Sequence, residues 1–452
     1  SSHLAQACYY DLLQLALEIC KRDMNTVLLC ATVGAAAGLR MLPRGERGEH
    51  SPPRGMAAPL AVPFYMYEPP SWNSACSPYG LHHQNCYPDF AFHRQLEDHP
   101  WRVQDRAEAK LFVVPAYVSG SLEGHCGDHA ENMRELARMM ENSSSFRASQ
   151  GRDHMISAFT WKAKPERLGD FEKYLRGMIV AHFERAGWPR TIVVPYGSIG
   201  AGREQIETLP HAERQRKLFF IGRADCRPAY YTRRLALQKL PHAYEQSVLM
   251  ALDEGLCQGT TRHDFPPCAV PGRVSGCLTN RSFDTYASLG GRSNYSLVIH
   301  GDSPSTSRLY DGFEFDQVPV IISDGWRETA MPFADALPWD SMAVFIKQLD
   351  FESYPVRSMG DAIASASDPS RLAVWQRVRP ALDWSLDGTC VATATLLDAA
   401  RRYLRLEGLP ELLALPCCDG RPGFVRKKRL VKPKGALNET LLKAMLMESR
   451  LN

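Results

Sequence analysis

The chain has 452 residues and 13 cysteines, yet no C-x-x-C pair occurs anywhere in it. That removes the usual spacings of a structural zinc site. Neither charge sign is in excess, with 53 Lys and Arg against 50 Asp and Glu, a net charge of +3. A balance so small does not argue for nucleic acid or a membrane surface as partner. No apolar run reaches the roughly 20 residues of a comfortable membrane span. No internal repeat is visible, which excludes a solenoid. With 44% hydrophobic and 23% charged residues, the chain should fold rather than stay disordered. Its length exceeds one ordinary core, so two domains with appendages are expected.

The segment Thr26 to Leu39 (TVLLCATVGAAAGL) is apolar and follows Lys21 and Arg22. It fits a signal-peptide core or a weak signal anchor, and so a membrane anchor near the N-terminus. A buried Ala-rich helix is the alternative. Pro43 to Pro59 is rich in Pro, Gly and Arg and reads as a stem or linker. The cysteines fit a secretory lumen better than a metal site, with free buried thiols as the alternative. Cys76 and Cys86 are spaced to close one loop, and Cys257, Cys268 and Cys277 cluster in another. Sequons occur at Asn142, Asn280, Asn294 and Asn438.

Apolar runs alternate with helical patterns along the middle of the chain. Strands are expected at Phe64–Tyr67, Leu111–Pro115, Met155–Trp161, Thr191–Pro195 and Lys217–Gly222. Helices are expected before Leu111, over Glu131 to Met140, and over Asp170 to Ala186. In the last of these Phe171, Tyr174, Leu175, Met178, Ile179 and Phe183 share one face. Such alternation predicts α/β domains with parallel sheets. The tail carries one helical stretch, Val391 to Leu406, and a basic run, Val425 to Lys434.

The most informative stretch is Tyr295 to Asp324, YSLVIHGDSPSTSRLYDGFEFDQVPVIISD. Leu297, Val298 and Ile299 lead into a turn at His300-Gly301-Asp302. Ser303 suits an N-cap, and Pro304 the first helical position. Ser305, Thr306, Ser307 and Arg308 then crowd the first turn. A helix start offers free N–H groups and a positive dipole end, so hydroxyls and a guanidinium there suit a phosphate. Val318 to Ile322 reads as a buried parallel strand. An ordinary capped helix in an α/β domain would show the same local pattern.

Gly301-Asp302-Ser303-Pro304-Ser305, Arg308-Leu309-Tyr310-Asp311, Val318-Pro319-Val320-Ile321, Ser323-Asp324 and Pro332-Phe333-Ala334-Asp335 together resemble the signature of exostosin-type glycosyltransferases. Upstream, Phe219-Phe220-Ile221-Gly222 with Arg233-Arg234-Leu235 is similar to the family's F-x-G…R-x-x-L segment. Gly151-Arg152-Asp153-His154 is similar to its G-R-D-H turn, and Leu111–Pro115 and Pro63–Tyr67 to its early strands. The likeness covers about residues 60 to 350. It departs in two places: Asp316-Gln317 stand where a Gly-Cys pair is common, and His300 where Arg is frequent.

The resemblance implies two Rossmann-like domains facing each other, the GT-B architecture. The expected division is a signal or anchor segment and stem over 1–59, an acceptor-side domain over 60–210, a nucleotide-sugar domain over 211–380 and a helical, basic tail over 381–452. The implied reaction is inverting transfer of a sugar from a nucleotide diphosphate sugar to a glycan hydroxyl, in the Golgi or secretory lumen. A single catalytic module is more like the plant and algal wall-polysaccharide enzymes. An inactive glycan-binding or partner subunit with the same fold is the alternative, and complexes with other glycosyltransferases are in keeping with either.

Donor-binding residues are then expected at Arg223, Ser303, Ser305, Thr306, Arg308 and Asp311. Asp311 is implied to touch the donor's ribose or sugar, although a helix-surface acid would occupy the same position. Asp153 and His154 are the expected source of the catalytic base, because the acceptor should be held by the first domain and a histidine titrates near neutrality. Their alternative role is a cap and a packed ring. No D-x-D triplet occurs, so metal-independent chemistry is expected, with helix dipole and arginine countering the diphosphate charge.

Overall fold

The computed structural model describes residues 62–81, 85–185, 187–198, 208–224, 227–252, 275–278, 283–384 and 390–407. The apolar segment near the N-terminus, the Pro-rich stem, Cys257, Cys268 and the basic tail lie outside the described residues. Among the described residues, no helix is long and apolar enough to cross a membrane.

Two wholly parallel sheets form the frame. The first has five strands in chain order: β1 Phe64–Met66, β2 Leu111–Val114, β3 His154–Ser157, β4 Ile179–His182 and β5 Thr191–Val193. The second has six: β6 Arg216–Gly222, β7 Val248–Leu252, β8 Ser275–Leu278, β9 Ser293–Ile299, β10 Val318–Ile322 and β11 Val344–Ile346. Its order is β11-β10-β9-β6-β7-β8. Strand order therefore reverses between β6 and β9, the switch point of this sheet.

Both sheets are buried on two faces, which is why their strands read as continuous apolar runs. Phe112, Val114, Ile156 and Val180 pack under Met133, Leu136 and Met140 of the helix His129–Asn142. The opposite face of the first sheet receives the helix Tyr87–Glu97 and, from the far end of the chain, the helix Val391–Leu404. Thr393 of that last helix donates to Gln95 Oε1, and Trp384 Nε1 donates to Pro195 O at 2.8 Å. The chain thus leaves the second sheet and returns to close the first. Val318 to Ile322 is fully buried, as its composition predicts.

Four expectations change. The amphipathic segment Asp170 to Ala186 is not one helix. A short helix, Glu172–Leu175, gives way to β4. The break lies at Gly177, where a Cβ would meet Gln150 O at 2.1 Å. Pairing of Met155 with Ile179 and of Val180 with Thr191 then outweighs the helical periodicity. The cap of the signature helix is Thr306, whose hydroxyl accepts from Arg308 N, and the helix runs Ser307–Glu314. Ser303 belongs to the preceding turn, in which Gly301 N donates to Ser303 O at 3.1 Å. Cys76 pairs with Cys126, and Cys86 is a buried free thiol. The Ser77 N to His125 O bond at 2.8 Å brings those two segments together. Asn294 lies inside β9 and is half-buried, so its sequon sits in a sheet strand and not in a loop.

Candidate functional site

In open α/β sheets, ligands bind beyond the carboxyl ends of strands at the switch point. In the second sheet those ends are Gly222-Arg223 after β6 and His300-Gly301 after β9. Two arginines join them. Arg233 is buried, and its guanidinium spans both ends. Nε donates to His300 O at 2.8 Å, Nη2 to Ile299 O at 2.8 Å and Nη1 to Arg223 O at 3.0 Å. Tyr230 lies against this cation at 4.9 Å. Gly301 is required here, since a Cβ would meet Arg233 Nη2 at 2.7 Å. Tyr230 also donates to Asp302, whose other oxygen pairs with Arg227 at 2.7 Å.

Arg308 is the second cation. From the first turn of the signature helix it reaches back across the switch point and donates to Ile221 O at 2.5 Å. Nη2 donates to Ser307 Oγ at 2.8 Å, and Nε pairs with Asp311 Oδ2 at 3.1 Å. Asp311 is fully buried and accepts a further bond from Tyr286 at 2.8 Å. Its carboxylate is committed to holding Arg308 and Tyr286. In this arrangement Asp311 sets the direction of the guanidinium and does not face outward to a ribose. Burial pushes the Tyr286 phenol well above its ordinary pKa, so it stays a donor to Asp311.

Ser303, Ser305 and Thr306 are half-buried and gathered on the turn that precedes this helix. Arg223 is exposed at the end of β6. These residues therefore share one wall with Arg308. His300 stands beside them with a buried, unpartnered Nδ1; burial and the neighbouring Arg233 lower its pKa, so the ring is neutral. Asp324, at the end of β10, accepts from Gln348 N at 2.7 Å.

Asp153 and His154 lie elsewhere. His154 opens β3 and is level with Phe112 of β2 and, one strand further, with Tyr65 of β1. The carboxyl edge is three residues on, about 10 Å away at the usual rise per strand residue. The His154 ring is fully buried, stacks on Phe112 at 4.8 Å, and bonds Tyr67 Oη and Asp153 Oδ1, each at 2.7 Å. Burial alone would raise the Asp153 pKa, and the bonds to His154 and Ser149 reverse that, so it is held below the ordinary carboxylate range. This pair knits the amino edge of the first sheet. The expectation that it faces the crevice is corrected by its place at the wrong end of a parallel strand.

The loop after β4 is what meets the signature turn. Arg185 N donates to Thr329 O at 2.7 Å, and Phe333 N to Val193 O at 2.9 Å. Ser198 Oγ donates to Glu314 Oε1 at 3.0 Å. Glu184 lies in this seam, where burial pushes its carboxyl up against the opposing effects of the Ser303 hydroxyl, Lys164 and the Ser305 backbone. The sequence concealed Glu184 by its place in a helix-like pattern. It did present Arg233, in the R-x-x-L segment, without a role.

Two parallel α/β sheets with their carboxyl-end loops in contact across a seam make the GT-B architecture. A sequence model of the exostosin GT47 domain matches residues 60–359. The chain belongs to the exostosin family. It is 26% identical over 263 residues to the probable arabinosyltransferase ARAD1 of Arabidopsis thaliana, covering 54% of this chain and 51% of that protein. It is 23% identical over 283 residues to a probable glucuronoxylan glucuronosyltransferase of the same plant, covering 58% and 55%. A 59-residue stretch is 39% identical to the probable glucuronosyltransferase 47 A of Physcomitrium patens, 13% of this chain and 12% of that one. The chain spans about half the length of the longer-matching relatives. Among solved structures it is similar to the lipopolysaccharide glycosyltransferase WaaG, with a TM-score of 0.28, 11% identity, and coverage of 75% of this chain and 99% of that one.

Proposed function

We propose that this protein is an inverting glycosyltransferase that moves a sugar from a nucleotide diphosphate sugar, UDP-linked by preference, to a hydroxyl of a wall-polysaccharide glycan. The observation that carries the reading is Arg308, held by Ile221 O and Asp311 at the switch point, beside the hydroxyl-rich turn Ser303–Thr306. Arg308, Ser303, Ser305 and Thr306 bind the diphosphate, and Arg223 approaches it from the end of β6. A fixed cation and a helix start favour the diphosphate most as negative charge develops on the leaving group. The same groups supply the positive charge that a divalent ion would otherwise bring, so turnover is expected to survive chelator. Full loss in chelator with restoration by manganese would reverse that part.

Two plant relatives are named as a probable arabinosyltransferase and a probable glucuronoxylan glucuronosyltransferase, and the Cys76–Cys126 bridge fits an oxidising lumen. Both support work in the Golgi or secretory pathway, alone or with other transferases. A panel of nucleotide sugars screened for donor hydrolysis tests the assignment. Release of nucleoside diphosphate from one donor supports it; nucleotide binding without release from any donor would point to an inactive subunit.

A further inference from the structure

We propose that Glu184 is the general base that takes the proton from the acceptor hydroxyl, a reading that rests on the transferase assignment above. Glu184 stands two residues past the end of β4, on the carboxyl edge of the first sheet. It is therefore on the half that faces the donor wall, where the acceptor must enter. The Ser303 hydroxyl and the Ser305 backbone, from the turn of the other half, both act on its titration.

Its backbone is held from both sides while one carboxylate oxygen is left spare. His182 is fully buried, which lowers its pKa to about 4, so the ring is neutral with one N–H. Its Nδ1 lies 2.6 Å from Glu184 O and its Nε2 lies 3.1 Å from Thr160 O, so the ring braces the backbone at Glu184. The next residue is tied across the seam by Arg185 N to Thr329 O. Glu184 Oε2 is buried and has no hydrogen-bond partner. An unpaired buried carboxylate oxygen is costly, and an incoming hydroxyl would satisfy it.

Other carboxylates along the wall are engaged. Asp302 is taken by Tyr230 and Arg227, Asp311 by Arg308 and Tyr286, and Asp324 by Gln348 N. They also belong to the donor half. The charged and titratable groups around Glu184 are Lys164, Tyr196 and the neutral His182. Burial raises its pKa toward neutrality, which strengthens it as a base.

The step balances as a single displacement. Glu184 accepts the hydroxyl proton as the acceptor oxygen bonds the anomeric carbon. The bond from that carbon to the diphosphate oxygen breaks, and its electron pair leaves with the nucleoside diphosphate. Configuration inverts, and the carboxyl proton then passes to water.

The test uses the full chain, with Glu184→Gln and Glu184→Ala, UDP titrated by calorimetry and transfer measured against pH. Glu184→Gln is expected to bind UDP within about twofold of wild type and to lose about 10²–10⁴-fold in turnover, together with the acid limb of the pH profile. Azide has no proton to surrender, so Glu184→Ala should form glycosyl azide from the donor at close to the wild-type rate. Near-normal transfer by Glu184→Gln overturns the assignment. So does parallel loss of the hydroxyl and azide reactions, which would mark a structural role. Tighter UDP binding with turnover retained would show that the carboxylate only occupies the anion site. Wild-type protein that transfers from no nucleotide sugar would defeat the transferase reading and this one with it.

Discussion

The first sheet runs β1 to β5 in unbroken order, whereas the second turns back on itself between β6 and β9. In the second sheet two loops therefore leave neighbouring strand ends in opposite directions and open a gap that a ligand can enter. Arg233 and Arg308 line that gap by binding the carbonyls of Ile221, Arg223, Ile299 and His300. In the first sheet no such gap exists. Asp153 and His154 pair at its amino edge, and its carboxyl-end loops reach the seam through Arg185 N and Ser198 Oγ. The same parallel architecture thus opens a gap at the strand ends in one half, where the proposed reading puts the donor, and keeps an unbroken order in the other.

The comparison is broken most severely by acid. His93, His99 and His182 belong to the first half, and burial lowers their pKa values to about 3, 4 and 4. A histidine depressed in the fold contributes stability above its unfolded value near 6.5 and loses it as pH falls toward 4. Asp89 acts oppositely: burial raises it to about 6, so its cost is relieved as pH falls from about 6 toward 3.8. The three histidines outweigh the one acid, for a net loss of roughly 4 kcal/mol between pH 7 and pH 5. Hydrogen exchange at the two pH values should show β1 to β5 opening before β6 to β11. Uniform opening would contradict the asymmetry.

Arg233→Ala should cost about 3 kcal/mol in stability, since it removes a buried cation from three carbonyls. It should also spread the ends of β6 and β9 and abolish measurable nucleotide binding. Arg233→Lys should not restore either, because an ammonium cannot reproduce the fork. Urea unfolding with UDP titration checks both halves of the statement. Intact UDP binding in Arg233→Ala would mean that the switch point does not hold the donor.

Arg308→Ala should weaken UDP binding by about 1.5–3 kcal/mol, the range for hydrogen bonds to a charged group. Unchanged affinity in calorimetry would sink the diphosphate assignment.

Much of the wall at the switch point was legible in sequence because it is local. Tyr295 to Asp324 carries strand, turn, helix and strand in one run, and each element formed within a few residues of expectation. What could not be read depends on distant partners. Thr306 caps the helix in place of Ser303 because the turn before it is closed by Gly301 and packed on Arg233. Asp311 looks like an exposed acid until Tyr286 and Arg308 are seen to enclose it. Glu184 was hidden because Phe171 to Phe183 repeats at helical spacing, while the ladder with β3 and β5 makes Ile179–His182 a strand. The G-R-D-H turn has the residue types of a base, but strand direction, which no local pattern reports, places it at the amino edge.

The finest test of the contrast is Asp153→Asn. Asp153 is about one-third exposed and holds one ring nitrogen of His154. The other nitrogen remains bonded to Tyr67, and the ring stays stacked on Phe112. An asparagine can still bond the ring through its side-chain oxygen, so only the charge-assisted part of one interaction is lost. About 1 kcal/mol of stability should go, less than for any substitution at the switch point. Donor affinity and turnover should stay within about twofold of wild type, because the change lies roughly 10 Å from the carboxyl edge. A pH–rate profile separates this from the alternative. If Asp153→Asn keeps the profile of the wild type, the pair braces the first sheet. If turnover falls by two orders of magnitude with the fold and UDP affinity intact, the amino edge takes part in chemistry and the division of labour between the two sheets is wrong.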